Sequence, residues 1–279
     1  MIHLTGLFIH PVKSLGACAV RAAEIDALGL VGDRRFMVVE DESGRFLTQR
    51  TLPRMALIAT ELSEFTLTLS APGHGSIAVA RTFRPTAGEK PRPVVVSVWA
   101  SEGLLADDCG DAPAAWLGDF LGVKCRLVRI GEKFRRPVLK PGQARPEDVV
   151  SFADGYPLLV ISEASLADLN DRLVARGEGG VPMDRFRPNL VVAGCAAFAE
   201  DTWTRFRIGG IVFRAGGPCG RCVLTTTDQR TAERGLEPLR TLASYRRDGN
   251  DPTNVNFGQN LFQETKTGTL QVGDAVVPG

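Results

Sequence analysis

The sequence predicts a mainly β fold, a β-barrel or β-rich α+β architecture, and three observations carry that prediction. Strand-like runs outnumber helical ones along the whole chain. Helices do not recur regularly between those runs, so nothing announces the βαβ alternation of a doubly wound sheet. At 279 residues the chain can bury one large core or two modest ones, and two domains is the better prior.

The elements follow in order. The first strand covers 6–10 and stops at Pro11. Apolar runs at 36–40 and 46–48 flank Asp41-Glu42-Ser43-Gly44-Arg45, a loop of turn formers, which is a hairpin pattern. Runs at 57–62 and 65–70 extend it, the second with strict alternation, and 94–99 follows. One helix stands out in this half. Asp111 is placed to cap it, Pro113 suits its first turn, Trp116, Leu117, Phe120 and Leu121 share a face, and Gly122 stops it. Residues 131–148 then interleave Lys133, Arg135, Arg136, Lys140 and Arg145 with Pro137, Pro141 and Pro146. This composition reads first as a solvated, semi-stiff linker and second as a basic loop over an anionic site.

The second half opens with an apolar strand at 158–161 that runs into Ser162, the N-cap of a helix carrying Leu166, Leu169 and Leu173 at helical spacing. Strands at 190–192, 206–208, 211–214, 269–272 and 275–277 complete the pattern, the last two joined by a turn at Gly273-Asp274. No internal repeat or low-complexity tract interrupts it.

Composition narrows the function. Lys and Arg number 33 against 32 Asp and Glu, so no bulk charge drives binding to nucleic acid or to a membrane surface, and any positive field is local. No apolar run approaches the roughly 18 residues that a membrane span needs. The opening Met1-Ile2-His3-Leu4-Thr5-Gly6 has neither a basic nor an apolar leader region. A cytoplasmic protein is expected. Its six cysteines are too few and too scattered for a disulfide scaffold, and four of them read as core filling.

Cys219 and Cys222 differ from those four. They form a C-x-x-C inside Gly216-Gly217-Pro218-Cys219-Gly220-Arg221-Cys222, with Arg221 adjacent to the second thiol, where a cation favours the thiolate. Structural zinc would need two further ligands, but His3, His10 and His74 all lie far upstream and no second C-x-x-C exists. A thioredoxin-like pair belongs at a helix start, and the β-prone Val223-Leu224-Thr225-Thr226-Thr227 argues against one. Two readings stay open: one thiolate holding a soft metal centre beside a structural cysteine, or two ordinary buried cysteines.

A metal with a single protein ligand must be anchored otherwise, and an organic cofactor with a phosphate tail would do it. Four candidate anion-binding elements occur: Lys13-Ser14 on a turn after the first strand, Asp33-Arg34-Arg35 after Gly29 and Gly32, Ser162 at a helix start, and Arg187-Pro188-Asn189 before a strand. Each one alone is also an ordinary turn or surface pair.

With Pro11-Val12-Lys13-Ser14, Gly32-Asp33-Arg34-Arg35-Phe36, Phe152-Ala153-Asp154-Gly155-Tyr156-Pro157, Ser162-Glu163-Ala164-Ser165-Leu166, Phe186-Arg187-Pro188-Asn189-Leu190, Pro218-Cys219-Gly220-Arg221-Cys222 and Phe257-Gly258-Gln259-Asn260 in order, the chain resembles the MOSC proteins. The likeness is to the YcbX branch and the mitochondrial amidoxime-reducing component, and it covers nearly the whole chain. It implies an N-terminal β-rich MOSC-associated domain, placed here at 1–126, a MOSC β-barrel at 127–279, and a molybdenum cofactor (Mo-molybdopterin) at their junction.

The resemblance further implies that Cys222, followed by Val223-Leu224-Thr225-Thr226, ligates molybdenum and is the catalytic ligand. It assigns cofactor contacts to Lys13, Ser14, Arg34, Ser162, Arg187 and Asn189. Asn260 matches a position that borders the cofactor in relatives and varies in type, and Cys219 receives no ligand role. The implied reaction is reduction of small N-hydroxylated compounds, N–OH to N–H, by two electrons and two protons with release of water. YcbX proteins often continue into a ferredoxin-like domain. No cysteine follows Cys222 here, so the electrons are expected from a separate donor, a ferredoxin or flavodoxin-type protein with its reductase. A cofactor carrier or sulfur-transfer module without turnover is the alternative, and a thiol–disulfide protein using Cys219 and Cys222 is a third possibility.

Overall fold

Period-two burial builds most of this molecule, as in the Thr66–Ala71 strand, where Leu67 and Leu69 are fully enclosed between half-exposed neighbours. The computed structural model describes residues 1–83, 92–140 and 142–279, so Pro141 of the basic stretch lies outside the described residues. The first half runs β1 (His3–Ile9), β2 (Cys18–Ala19), β3 (Ala22–Asp26), β4 (Gly29–Leu30), β5 (Phe36–Glu40), β6 (Ala59–Leu62), β7 (Thr66–Ala71), β8 (Gly75–Ala80), β9 (Pro93–Val98), β10 (Ser101–Asp108), α1 (Asp111–Leu121) and β11 (Cys125–Ile130). The second half runs β12 (Leu158–Ser162), α2 (Glu163–Ala175), β13 (Leu190–Ala193), β14 (Arg205–Ile208), β15 (Ile211–Gly220), α3 (Leu239–Ala243), β16 (Asn256–Gln263), β17 (Thr269–Gln271) and β18 (Val276–Pro278). The mainly β expectation holds.

An eight-stranded sheet in the order β18-β14-β15-β16-β12-β13-β1-β2 forms the larger layer. Its centre is buried on both faces. In β12, Leu158 and Val160 enter one core with Leu4, Leu190, Phe213 and Leu261, while Leu159 and Ile161 enter another beneath α2 with Leu169, Leu173 and Phe257. That explains a continuous apolar run rather than an alternating one. A four-stranded sheet, β5-β11-β10-β9, and the β6-β7-β8 sheet enclose a core of Phe36, Val38, Leu67, Leu69 and Leu127 capped by α1 through Leu117 and Phe120.

The expected boundary between 126 and 127 is not where the strands divide. It cuts β11, which pairs with β5 (Leu127↔Val38) and with β10. Conversely β1 pairs with β13 (Leu7↔Leu190) and β3 with β17 (Leu270↔Ala23). Early strands thereby cover edges that the later sheets would otherwise leave open.

Local readings were mostly met. Val39 bridges Phe46, as the hairpin pattern requires. The run at 57–62 is shorter, because Pro53–Leu57 forms a 3₁₀ turn and only Ala59–Leu62 is strand. Gly122 closes α1 at φ 72°. Asp111 is not the cap: Gly110 holds that place, and the Asp111 carboxylate accepts from Arg126 Nη2 at 2.8 Å instead. Ser162 does cap α2, accepting from the Ser165 N–H at 3.0 Å.

The basic stretch is not a solvated linker at its middle. Arg136 is buried and donates to the carbonyls of Ser151 (2.9 Å), Ala153 and Asp154 (2.8 Å), pinning the loop before β12. Among the described residues no helix is long and apolar enough to cross a membrane.

Candidate cofactor site

Four segments distant in sequence meet beside the interior strands of the large sheet. The first is the turn after β1. Val12 and Leu15 are both fully buried, which plants Lys13 between them, and Ser14 turns the chain at φ 65°. Lys13 Nζ donates to the Phe152 carbonyl at 2.9 Å and forms an ion pair with Asp154. The second segment follows β4. Asp33 takes the His10 N–H at 2.8 Å and Arg34 Nη1 at 2.6 Å, so this buried carboxylate locks Arg34 in place.

The third segment is the 3₁₀ turn Met183–Phe186, which ends in Arg187 at φ 54° and leads into β13. Arg187 reaches across to the Leu15 carbonyl at 2.6 Å. Asn189, two residues on, accepts from Arg34 Nη1 at 3.0 Å and donates to the Phe8 carbonyl at 3.2 Å, so it positions Arg34. The fourth segment is the end of β15, whose pairing with β16 slips between Ala215 and Gly217 and again between Pro218 and Gly220. Such bulges re-aim side chains. Asn260 on β16 donates to the Pro218 carbonyl at 3.1 Å across this distorted end.

A cavity of about 140 Å³ opens where the segments meet, and Lys13, Ser14, Arg34, Arg187, Asn189, Asn260 and Cys222 all line it. Six of the seven expected cofactor contacts, together with the cysteine expected to hold the metal, are therefore brought together. Ser162 is the exception. It is fully buried, its hydroxyl caps its own helix, and Glu200 occupies the helix start, accepting the Ser162 N–H at 2.9 Å and the Ser165 hydroxyl at 2.7 Å. The anion that a helix N-terminus favours is supplied here by the protein itself. Ser14, Arg34 and Arg187 share another property: all have positive φ, uncommon outside glycine, and such backbone collects where function over-determines it.

The electrostatics are one-sided. Five cations, Lys13, Arg34, Arg50, Arg187 and Arg221, line the cavity against the single carboxylate of Asp154. The positive field is local, as a net charge of +1 requires. Burial pushes the Lys13 ammonium down to about 8, with Asp154 opposing the shift. Burial and then the Arg34 charge push Arg187 down to about 9. Burial alone would raise Asp154, yet Lys13 and Arg50 hold it well below the usual carboxylate range. Its side chain keeps 53% of its surface open, where it lines the cavity. Arg187 Nη2 and Arg221 Nε are buried without a hydrogen-bond partner. Crowded cations with spare donors are relieved by an anion.

The arginine expected to serve Cys222 serves Cys219 instead. Arg221 turns away from Cys222 and donates from Nη1 to Cys219 Sγ at 2.9 Å and from Nη2 to the Phe186 carbonyl at 2.7 Å. Cys222 is met by Arg50, whose Nε donates to Sγ at 3.2 Å. The reason is the extended backbone: residues 219 and 221 share a side, and adjacent 221 and 222 do not. The β-prone segment after Cys222 forms a 3₁₀ turn, Val223–Thr226, because the Thr225 and Thr226 hydroxyls donate back to the Cys222 and Val223 carbonyls at 3.0 and 2.8 Å.

Sequence reasoning missed Arg50 and gave Asp154 no role. Asp154 lay inside the Phe152–Pro157 motif, which could have flagged it. Arg50 carries no local signal; only the fold brings it to Cys222.

Residues 1–124 match the MOSC N-terminal beta barrel domain, and residues 147–277 match the MOSC domain. The chain is 38% identical over 285 residues to "Mitochondrial amidoxime-reducing component 1" of Homo sapiens, covering 97% of this chain and 81% of that protein. For the Mus musculus protein of the same name the identity is 36%, over 97% of this chain and 80% of that protein. This chain belongs to the MOSC family that includes the amidoxime-reducing components. A "Molybdenum cofactor sulfurase" of Danio rerio is 34% identical to this MOSC protein over 99% of the chain, which spans 34% of the sulfurase. The two MOSC matches divide in the sequence at 124 and 147, around the Arg136 loop that fastens the Asp154 segment.

Proposed function

We propose that this MOSC protein is a molybdenum-cofactor-dependent oxidoreductase that reduces N-hydroxylated compounds. The balanced reaction is R–NHOH + 2 e⁻ + 2 H⁺ → R–NH₂ + H₂O. One observation carries the reading: a single cavity places the Cys222 thiol, extended from the bulged end of β15, beside Lys13, Ser14, Arg34 and Arg187. A soft thiolate suits molybdenum, and crowded cations with unsatisfied donors suit the phosphate and polar edge of a pterin.

When bound, the cofactor supplies the two-electron chemistry. The chain's own residues bind, orient and neutralise. Lys13, Ser14, Arg34 and Arg187 take the anionic end, Asn189 holds Arg34 at its angle, and Asn260 borders the thiol side. Arg50 keeps a positive charge beside Cys222 while Asp154 ties Arg50 and Lys13 together. Arg136, donating to the carbonyls of Ser151, Ala153 and Asp154, keeps that acid in place.

Electrons come, in this proposal, from a separate protein of ferredoxin or flavodoxin type. Supporting it, relatives 36% and 38% identical over nearly the whole of this chain are each named an amidoxime-reducing component. We also place the protein in the cytoplasm, since all six cysteines are free thiols, as a reducing compartment keeps them.

The test is metal analysis of the purified protein, followed by hydroxylamine and benzamidoxime reduction with ferredoxin and its reductase. Molybdenum at one per chain and turnover abolished by Cys222→Ser support the reading. Protein without molybdenum, or full turnover in Cys222→Ser, overturns it. The near-complete match to part of a sulfurase favours one second reading, a cofactor or sulfur carrier; it predicts molybdenum without reduction of either compound.

A further inference from the structure

A second cavity of about 570 Å³ adjoins the cofactor cavity and shares Arg50, Asp154, Tyr156 and Asn260 with it. Any molecule approaching Cys222 from this side crosses it. Its wall includes an unusual tryptophan. Trp99 occupies the tight turn between β9 and β10 with φ 54°, a conformation that bulky side chains rarely adopt, and it remains 49% exposed.

Exposure here does not mean mobility. Trp99 Nε1 donates to Asp154 at 3.1 Å, the Arg50 guanidinium lies 4.7 Å from the ring centroid, and the Phe46 ring meets it edge-on at 4.9 Å. One ring face, one edge and the polar atom are thus fixed by protein. The remaining indole surface lines the second cavity, near Pro137, Leu139 and Val150. Packing in the protein's own core explains none of this: the ring is held rigid, in a strained backbone, with much of its apolar area left open.

We propose that Trp99 is the specificity-determining residue of this site. Its open surface stacks flat, conjugated N-hydroxylated substrates, such as aromatic amidoximes and N-hydroxylated nucleobases, in preference to small aliphatic or inorganic ones. The proposal rests on the reductase reading given above. A preorganised ring adds stacking affinity without losing side-chain freedom, and a compound lacking a π-face gains nothing from it. Because Asp154 and Arg50 also contact Cys222 or Lys13, the same two residues that fix the ring tie its position to the reacting centre.

The experiment compares wild type, Trp99→Ala and Trp99→Phe as molybdenum-loaded proteins with the ferredoxin system, using kcat/KM for benzamidoxime and for hydroxylamine. In Trp99→Ala the ratio of benzamidoxime to hydroxylamine efficiency falls about tenfold, the loss of one stacked ring. Trp99→Phe keeps a π-face and restores most of the ratio. Loosening of Arg50 or Asp154 touches both substrates and cancels in the ratio, so an unchanged ratio in Trp99→Ala overturns the proposal. If wild type reduces neither compound, the reductase reading fails, and calorimetric titration of benzamidoxime then decides separately. Binding weakened by the same factor in Trp99→Ala upholds the platform; equal binding, or none to wild type, overturns it.

Discussion

Arg50 Nε donates to Cys222 Sγ at 3.2 Å across 172 positions of sequence. The same guanidinium donates from Nη2 to Asp154 at 3.0 Å and stacks on Trp99. Burial works against its charge, yet Asp154 and Cys222 more than restore it, so Arg50 stays a cation. Through this one side chain the N-terminal part of the chain reaches the sulfur that lies just beyond β15.

Removing that contact should therefore act on the metal end of the site. Arg50→Ala is expected to lower kcat or molybdenum content about 10- to 100-fold, the usual effect of deleting a partner of a metal ligand. Arg50→Lys keeps the charge but not the fork that serves sulfur and carboxylate together, and should fall between. Metal analysis beside steady-state rates separates loss of loading from loss of turnover. Wild-type values for both in Arg50→Ala would show that the contact is incidental.

The cation at Lys13 sets a pH limit on anion binding. Its ammonium, pushed by burial down to about 8, is charged below that value and neutral above it. An anion prefers the charged form, so affinity for inorganic phosphate should fall as pH rises through about 8. Phosphate itself only gains negative charge as pH rises over this range, so a fall in affinity reports the lysine and not the ligand. Calorimetry on cofactor-free protein from pH 7 to 9.5 checks this. Lys13→Met should bind weakly and lose the limb near about 8, keeping only the fall that Arg187, at about 9, imposes, and Lys13→Arg should move the limb upward.

How far the site was legible depended on how local each signal was. Ser14, Arg34 and Arg187 lie in short turns with left-handed backbone, and the fold brings them with Lys13 to one cavity. Arg221 misled because adjacency in sequence is opposition in an extended chain. Ser162 was read correctly as a cap but wrongly as an anion site, because Glu200, 38 positions away, fills the same donors. Chain length suggested two parts. The exchange of β1 and β3 into the later sheets was not legible, since strand partners are set by tertiary register.

The Ser162 correction has its own test. Ser162→Ala removes the α2 cap and should cost about 1 kcal/mol of stability, read as a lower denaturation midpoint. Molybdenum content should stay at the wild-type level, because the hydroxyl does not face the cavity. Loss of metal from an otherwise folded Ser162→Ala protein would return the residue to the cofactor site.

Gly258 gives the last prediction, because two separate costs meet there. It precedes Asn260 on β16 at φ 82°, and a Cβ added to it would lie 2.7 Å from Ile161 Cγ1 and 2.9 Å from the Val160 carbonyl oxygen. The left-handed backbone alone costs a non-glycine residue about 1–2 kcal/mol. Overpacking against the fully buried β12 adds about 1–3 kcal/mol, since neither a backbone oxygen nor an enclosed isoleucine can move aside. Gly273 supplies the control: its φ is 105°, but nothing lies within 4 Å of an added Cβ, so Gly273→Ala meets only the conformational cost. Urea denaturation should rank the proteins wild type, Gly273→Ala, Gly258→Ala in falling stability. Equal losses in the two variants would mean that β16 yields to the extra methyl, and that Asn260 is held less firmly than its strand suggests.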